Sequence, residues 1–476
     1  MREPITFGTD GWRGVIAEDF TFDNVRRAAH AFARYLQETG RAERGVVVGY
    51  DHRFHSENFA TAVAEVMAAH GIHVYLTAGP MPTPVISHTI LDVGAGGGVN
   101  ITASHNPPTD NGFKIRADYG GAVASEELPN VEKHIPPAGE SPPRLALEEA
   151  VERGLVEYVD PTATYTERVI RLVDLDALRS FRVKLVADPM WGVGSNWFPR
   201  LIGGDAVEIV QIHAERNPIF PEMIRPEPIP PNVDVLRERV PSLGADVGIA
   251  TDGDADRVGI VAETGRFVNQ LEVFSLLAYY LLEVRGWRGP IVKTLSASSM
   301  LEKLGARYGV PVHETGVGFK YVAPKMLETD AIIGGEESGG YAFRGHLPER
   351  DGILAGLMFL DLMYRTGKRP TELLETLFGL VGPHYYERWD VRYPAERREE
   401  IRANVANARP SQIAGFSVER IDTTDGWKFH LGDDGGWLLI RFSGTEPLIR
   451  VYTETTREEK VEALLRAGLA IAGVER

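Results

Sequence analysis

Hydrophobic and polar positions along the chain alternate between two patterns. Short β-branched runs are followed by segments with apolar residues at helical spacing and a closing glycine. GVVVGYD (45–51) leads into SENFATAVAEVMAAHG (56–71). VKLVADP (183–189) leads into a short helix near 195–202 and then Gly203-Gly204. PIVKTLS (290–296) leads into SSMLEKLGARYG (298–309). Strand, loop, helix, glycine stop and further strand is the signature of α/β architecture with mainly parallel strands. A second strand in each unit runs into a polar, Gly-containing loop: GGGVNITASHNP (96–107), ADVGIATDGDADR (245–257) and TDAIIGGEESGG (329–340). Three related α/β modules with mixed, mainly parallel sheets are therefore expected. Each presents a loop at a strand end, where such sheets hold ligands.

The last ~100 residues follow another pattern. RWDVRYP, FSVERID, GWKFHLG and GGWLLIRFSG read as short strands with aromatic and β-branched content. TREEKVEALLRAGLAIAG (456–473) closes as a helix, with Thr456 as its expected cap. This predicts an α+β domain with a largely antiparallel sheet. Expected boundaries are 1–155, 156–260, 261–378 and 379–476, with the four units around a central cleft. IPPAGESPPR (135–144) reads as a surface loop. NPIFPEMIRPEPIPPN (217–232) is too Pro-dense for regular structure and is expected to cross toward the cleft.

Composition narrows the picture. The 476 residues exceed one ordinary core and suggest three or four domains. A net charge of −16 argues against nucleic-acid or anionic-membrane partners, which need a positive field. Small phosphorylated ligands stay open, because a few Arg and Lys can reverse the potential in one cleft. The absence of cysteine excludes disulfides, thiol catalysis and Cys-ligated metal. MREPITFGTDGWRG lacks the apolar stretch of a signal peptide, and FSLLAYYLLEV (274–284) is too short to span a bilayer. A cytoplasmic protein is expected.

The loops carry the chemistry. In TDGDADR (251–257), Asp252, Asp254 and Asp256 alternate, so one loop can turn three carboxylates toward a point, a hard-oxygen set suited to Mg²⁺. A calcium loop is the rival reading, but Arg257 stands where that loop needs Gly and the flanks read as strands. A solvated acidic turn would leave Arg257 among the acids unexplained, whereas a phosphate would suit it. RFSGTEP (441–447) offers Arg441, Ser443, Thr445 and the amides around Gly444, the ingredients of a phosphate site and also of an everyday turn. FGTDGWRG (7–14) adds Arg13, and GEESGG (335–340) adds Glu336 and Ser338, suited to sugar hydroxyls. Ser104 and His105 are adjacent in TASHNP. In an extended chain their side chains diverge, which makes His105 a poor base for Ser104. No G-x-S-x-G elbow surrounds the serine, and Lys114 lies ten residues on, so a phosphate-acceptor role gains over a hydrolase nucleophile.

FGTDGWRG, TASHNP with NGFK, DGDADR, GEESGG and RFSGTEP stand in the order seen in the α-D-phosphohexomutase superfamily, which the chain resembles over about its whole length. The resemblance implies that Ser104 is the phosphorylated serine and that Asp252, Asp254 and Asp256 hold Mg²⁺ with a phosphoserine oxygen. Ser104, Lys114, Arg13, Arg257 and His105 are then the catalytic candidates, with Lys114 as general acid/base. Arg441, Ser443, Gly444, Thr445 and Lys320 of TGVGFK (315–320) would hold the non-reacting phosphate, and Glu336 and Ser338 the sugar O3 and O4. The implied reaction interconverts hexose 1-phosphate and hexose 6-phosphate through a reorienting 1,6-bisphosphate, glucose 1,6-bisphosphate also serving as activator. RFSGTEP and TGVGFK resemble the phosphoglucomutase forms; glucosamine mutases usually carry Pro in place of Phe442. Dual-specificity phosphomannomutase/phosphoglucomutases carry His in place of Val317 and Gly340. Glucose phosphates are the expected substrates. Phosphomannomutase and phosphoglucosamine mutase activities, a phosphatase, a non-catalytic sugar-phosphate sensor and a homodimer stay open.

Overall fold

A computed structural model describes residues 5–8, 11–432, 436–443 and 446–475. Four sheets follow one another along the chain. The first has strand order Trp12–Val15, Asp110–Ala117, Gly97–Ile101, Val46–Tyr50, Val74–Thr77, Val156–Val159. Its last four strands are parallel, Asp110–Ala117 runs antiparallel to them, and Trp12–Val15 pairs antiparallel with Asp110–Ala117. Val46 and Val48 belong to the core under the helices Phe22–Glu38 and Ser56–Ala69, whereas Val47 faces the core that includes the helix Thr83–Val93. Burial on both faces is why this strand reads as an unbroken apolar run.

The second sheet runs Phe267–Val268, Val258–Ala262, Val247–Thr251, Val183–Asp188, Val207–Gln211. The third runs Val312–Thr315, Ile291–Thr294, Ile333–Gly335, Tyr341–Phe343. One device recurs in all three. A parallel strand enters a loop, and the next strand pairs antiparallel with it: Gly97–Ile101 with Asp110–Ala117, Val247–Thr251 with Val258–Ala262, and Ile333–Gly335 with Tyr341–Phe343. The three expected modules are present, with their polar loops as the hairpin tips.

The fourth sheet is antiparallel throughout, six strands between Tyr385 and Thr455. The helix Val461–Ala472 covers one of its faces through Leu464, Leu465 and Leu469.

Two sequence expectations need correction. The first sheet takes in Val156–Val159 and the second takes in Phe267–Val268, so boundaries at 155 and 260 cut through sheets. Thr456 does not cap the last helix. A 3₁₀ turn, Glu458–Lys460, intervenes, and the helix starts at Val461 without a side-chain cap. Residues 217–232 form no helix or strand, as their proline content requires. Among the described residues no helix is long and apolar enough to cross a membrane.

Candidate active site

Three hairpin tips and the last sheet converge on a cavity of about 910 Å³, lined among others by Arg13, His105, Arg257, Lys320, Glu336, Ser338 and Arg441. Its floor is the contact between the first two tips. Ser104 is buried, and its Oγ donates to Asp252 Oδ2 at 2.9 Å. The approach is close: a Cβ on Gly253 would lie 2.6 Å from the Ser104 carbonyl oxygen. Glycine at 253 is what lets the two loops touch.

Ser104 has φ of 53°, in the left-handed region. The loop is therefore not extended, and the expected divergence of Ser104 and His105 does not occur. His105 Nδ1 lies 3.3 Å from Ser104 Oγ. Burial, then the charges of Arg257 and Arg13, hold the imidazole well below its usual range, so it is neutral near pH 7. The shape of this loop is set by Arg53. Its buried guanidinium donates to the carbonyls of Ser104, Asn106, Pro107 and Asp110, and Asp51 balances its charge at 3.4 Å.

Asp252, Asp254 and Asp256 are buried, with ligand oxygens within 4.8 Å of one another. Burial and the two neighbouring carboxylates push Asp252 well above the usual carboxylate range. Burial acts on Asp254 too, but Lys114 and the Thr83 hydroxyl outweigh it and hold that carboxyl low. Lys114 Nζ lies 2.9 Å from Asp254 and 3.6 Å from Asp256. Thr83 Oγ1 donates to Asp254 at 2.6 Å and accepts from Asn100. Among the described residues Asp254 Oδ1 and Asp256 Oδ1 are buried with no hydrogen-bond partner. Buried anionic oxygens left over after Lys114 and Thr83 are served fit a small hard cation such as Mg²⁺. The rival calcium-loop geometry is absent, since the aspartates sit in a β-hairpin.

Around this floor the cations collect. Arg257 contacts Glu227 at 3.2 Å and Asp256 at 3.8 Å. Arg13 donates to Asn106 at 2.6 Å. Glu336 is buried, and burial pushes its carboxyl up to about 7 against the opposing charge of Arg350. Ser338 has a hydroxyl without a hydrogen-bond partner among the described residues. Lys320 lies in the first turn of the helix Phe319–Thr329 and borders the cleft.

The last sheet closes the cleft with a face of two characters. Arg441, Arg450 and Asp390 stand in one cross-strand row, and Leu439, Tyr452 and Arg388 in the next. Trp437, Leu439 and Tyr452 pack on Leu295 of the third unit. Asp425 ties the same units together, taking hydrogen bonds from Arg441 at 2.8 Å and from the Val317 amide at 2.9 Å. Ser443 is buried beside Arg441, whereas Gly444 and Thr445 lie outside the described residues. Phe442 points to the other face, against Trp427 and Tyr393. It is partly buried against the core of the last sheet.

Sequence reasoning passed over Arg53, Thr83, Asp425, Arg350 and the arginines 388 and 450. Arg53 had a signal: YDHRFHS places charges directly after a buried strand. Arg388 and Arg450 become visible only once the register sets them beside Tyr452 and Arg441.

A serine hydroxyl at an aspartate cluster, beneath an arginine-lined cleft between α/β units, is an arrangement suited to phosphoryl transfer. The chain belongs to the phosphoglucomutase/phosphomannomutase family, whose α/β/α domains I, II and III and C-terminal domain match residues 4–140, 163–265, 270–380 and 397–470. A phosphoglucomutase/phosphomannomutase of Thermococcus kodakarensis is 35% identical, over 98% of this chain and 98% of that protein. A phosphoglucosamine mutase of Frankia casuarinae is 32% identical, over 98% and 97%. A crystal structure from Thermus thermophilus superimposes with a TM-score of 0.85 at 37% identity, covering 99% of this chain and 100% of that one. The protein is an enzyme of the phosphohexomutase type.

Proposed function

We propose that the enzyme interconverts hexose 1-phosphate and hexose 6-phosphate through a phosphoryl group carried on Ser104. The contact of Ser104 Oγ with Asp252, at the floor of the arginine-lined cleft, carries this reading. A hydroxyl of the sugar monophosphate attacks the phosphorus, its new O–P bond forming as the Oγ–P bond breaks. The 1,6-bisphosphate turns over in the cleft, and Ser104 takes back the other phosphoryl group. Neutral His105 is placed to accept the Ser104 proton as Oγ attacks and to return it as Oγ leaves. Lys114 is assigned the proton of the sugar hydroxyl. Asp252, Asp254 and Asp256 would hold Mg²⁺, which when bound supplies compact positive charge against that of the transferring group. Arg13 and Arg257 support the same charge. Arg441, Ser443 and Lys320, with Gly444 and Thr445, take the non-reacting phosphate, and Glu336 and Ser338 take sugar hydroxyls.

Glucose phosphates are one substrate reading, on the spelling of the TGVGFK and RFSGTEP loops. Glucosamine phosphates are the reading that the relatives favour, on the activity named for the Frankia relative and for several further relatives at 31–33% identity. Coupled assays with glucose, mannose and glucosamine 1-phosphates, Mg²⁺ and trace 1,6-bisphosphate, together with intact mass, decide both points. A phosphate-sized mass increment lost in Ser104→Ala, with 6-phosphate as product, is expected. Inorganic phosphate as the main product would show a phosphatase instead.

A further inference from the structure

Arg350 follows the third hairpin, in the segment LPERDG (347–352), and is buried. Its guanidinium spans two of the converging loops. Nη2 lies 2.8 Å from Asp256 Oδ2 in the second unit's tip, and Nη1 lies 3.3 Å from Glu336 Oε2 in the third unit's tip. Nε reaches Glu349 at 3.3 Å, and Glu349 is paired with buried Arg116 of the first sheet. The Phe319 ring lies 5.5 Å from the guanidinium carbon. The path of this side chain depends on one missing atom: a Cβ on Gly340 would fall 2.2 Å from Arg350 Cδ and 2.8 Å from Cγ. Gly340 does not adopt positive φ, so its backbone would accept alanine. Space for Arg350 is what the glycine provides. The Glu336 amide donates to the Gly340 carbonyl, so the socket and the carboxylate belong to one closed turn.

We propose that Arg350 is a positioning residue that holds Glu336 and Asp256 at a fixed separation, and that Gly340 is its socket. The proposal rests on the mutase reading, in which Glu336 grips sugar hydroxyls while the aspartates face the transferring phosphoryl group. A planar fork with an anchor on each loop fixes the distance between sugar and phosphoryl sites in a way a single ammonium cannot. Loosening that distance would leave the protein folded and misplace the sugar, which is costly for transfer.

The test is a double-mutant cycle of Gly340→Ala and Arg350→Ala, with Arg350→Lys as the milder variant should the alanine form fail to fold. Each single change is expected to lower kcat/KM by about tenfold or more, with a larger share of 1,6-bisphosphate released per turnover. The double variant is expected to be no worse than Arg350→Ala, because the collision partner is gone. Arg350→Lys is expected to keep the charge and still leak bisphosphate. Losses that multiply in the double variant, or an Arg350→Ala enzyme within about twofold of the parent, would overturn the proposal. The cycle is also read by calorimetry of glucose 6-phosphate binding to metal-free protein, where the same non-additivity is expected. An inactive parent enzyme would refute the mutase reading; additive binding losses would refute the role of Arg350.

Discussion

Ser104 and the three aspartates were legible because their chemistry is local: a loop motif names them, and alternation aims them. His105 was misjudged on the premise of an extended chain, whereas φ of 53° at Ser104 swings the imidazole onto the hydroxyl. Arg53 and Arg350 were not legible because their partners are carbonyls and carboxylates of other loops, and no spacing encodes such a meeting. Arg53 yields a sharp expectation. Arg53→Ala would strip donors from four carbonyls and leave Asp51 buried, costing at least about 3 kcal/mol in urea unfolding. Glu336 yields another. With its carboxyl near 7, it is protonated below that pH and loses the charge that, on the proposed reading, would accept sugar hydroxyls. KM for the sugar phosphate is expected to rise as pH falls through about 7. Glu336→Gln should remove that part of the pH profile while the phosphate's own titration remains.

At the level of elements, the strand–helix–glycine rhythm predicted the three modules. It did not show that each polar loop is a hairpin tip: the sequence reads as strand on both flanks of the aspartate loop alone, and the returns Asp110–Ala117 and Tyr341–Phe343 emerge from the sheet pairing. The hairpin matters because it stiffens both stems of a loop that lines the cleft, leaving the tips to be adjusted by small residues. Gly253 is the clearest case. Gly253→Ala would force the aspartate tip off the serine tip, and kcat is expected to fall about a hundredfold, with a lower melting temperature from the displaced backbone. Normal kcat in that variant would mean that the two loops do not need their contact. The buried Arg116–Glu349 pair joins the first sheet to the third unit. Glu349→Ala would take a carboxylate from the buried guanidinium of Arg116 and from Arg350, and a lower midpoint in thermal or urea unfolding is expected.

Across the whole molecule, units meet through buried polar contacts that depend on protonation. His88 on the helix Thr83–Val93 bonds to Thr164 of the helix Thr162–Ile170 at 3.1 Å, and burial lowers its imidazole to about 4. The folded protein thus favours the neutral ring. Its stabilising share is complete above the unfolded value near 6.5 and is lost as pH falls from there toward 4, up to about 3 kcal/mol. His88→Gln is expected to flatten the acid limb of a melting-temperature profile between those values. The arginine-lined cleft has a consequence for how fast substrate is captured. A sugar phosphate first meets a body of net charge −16 and only later the field of Arg257, Arg441 and Arg450. At low salt the distant repulsion reaches far, since the screening length is about 30 Å at 0.01 M and about 10 Å at 0.1 M. Added salt first removes that outer barrier and then weakens the inner attraction. Encounter should therefore be fastest at intermediate ionic strength, and kcat/KM plotted against salt should pass through a maximum.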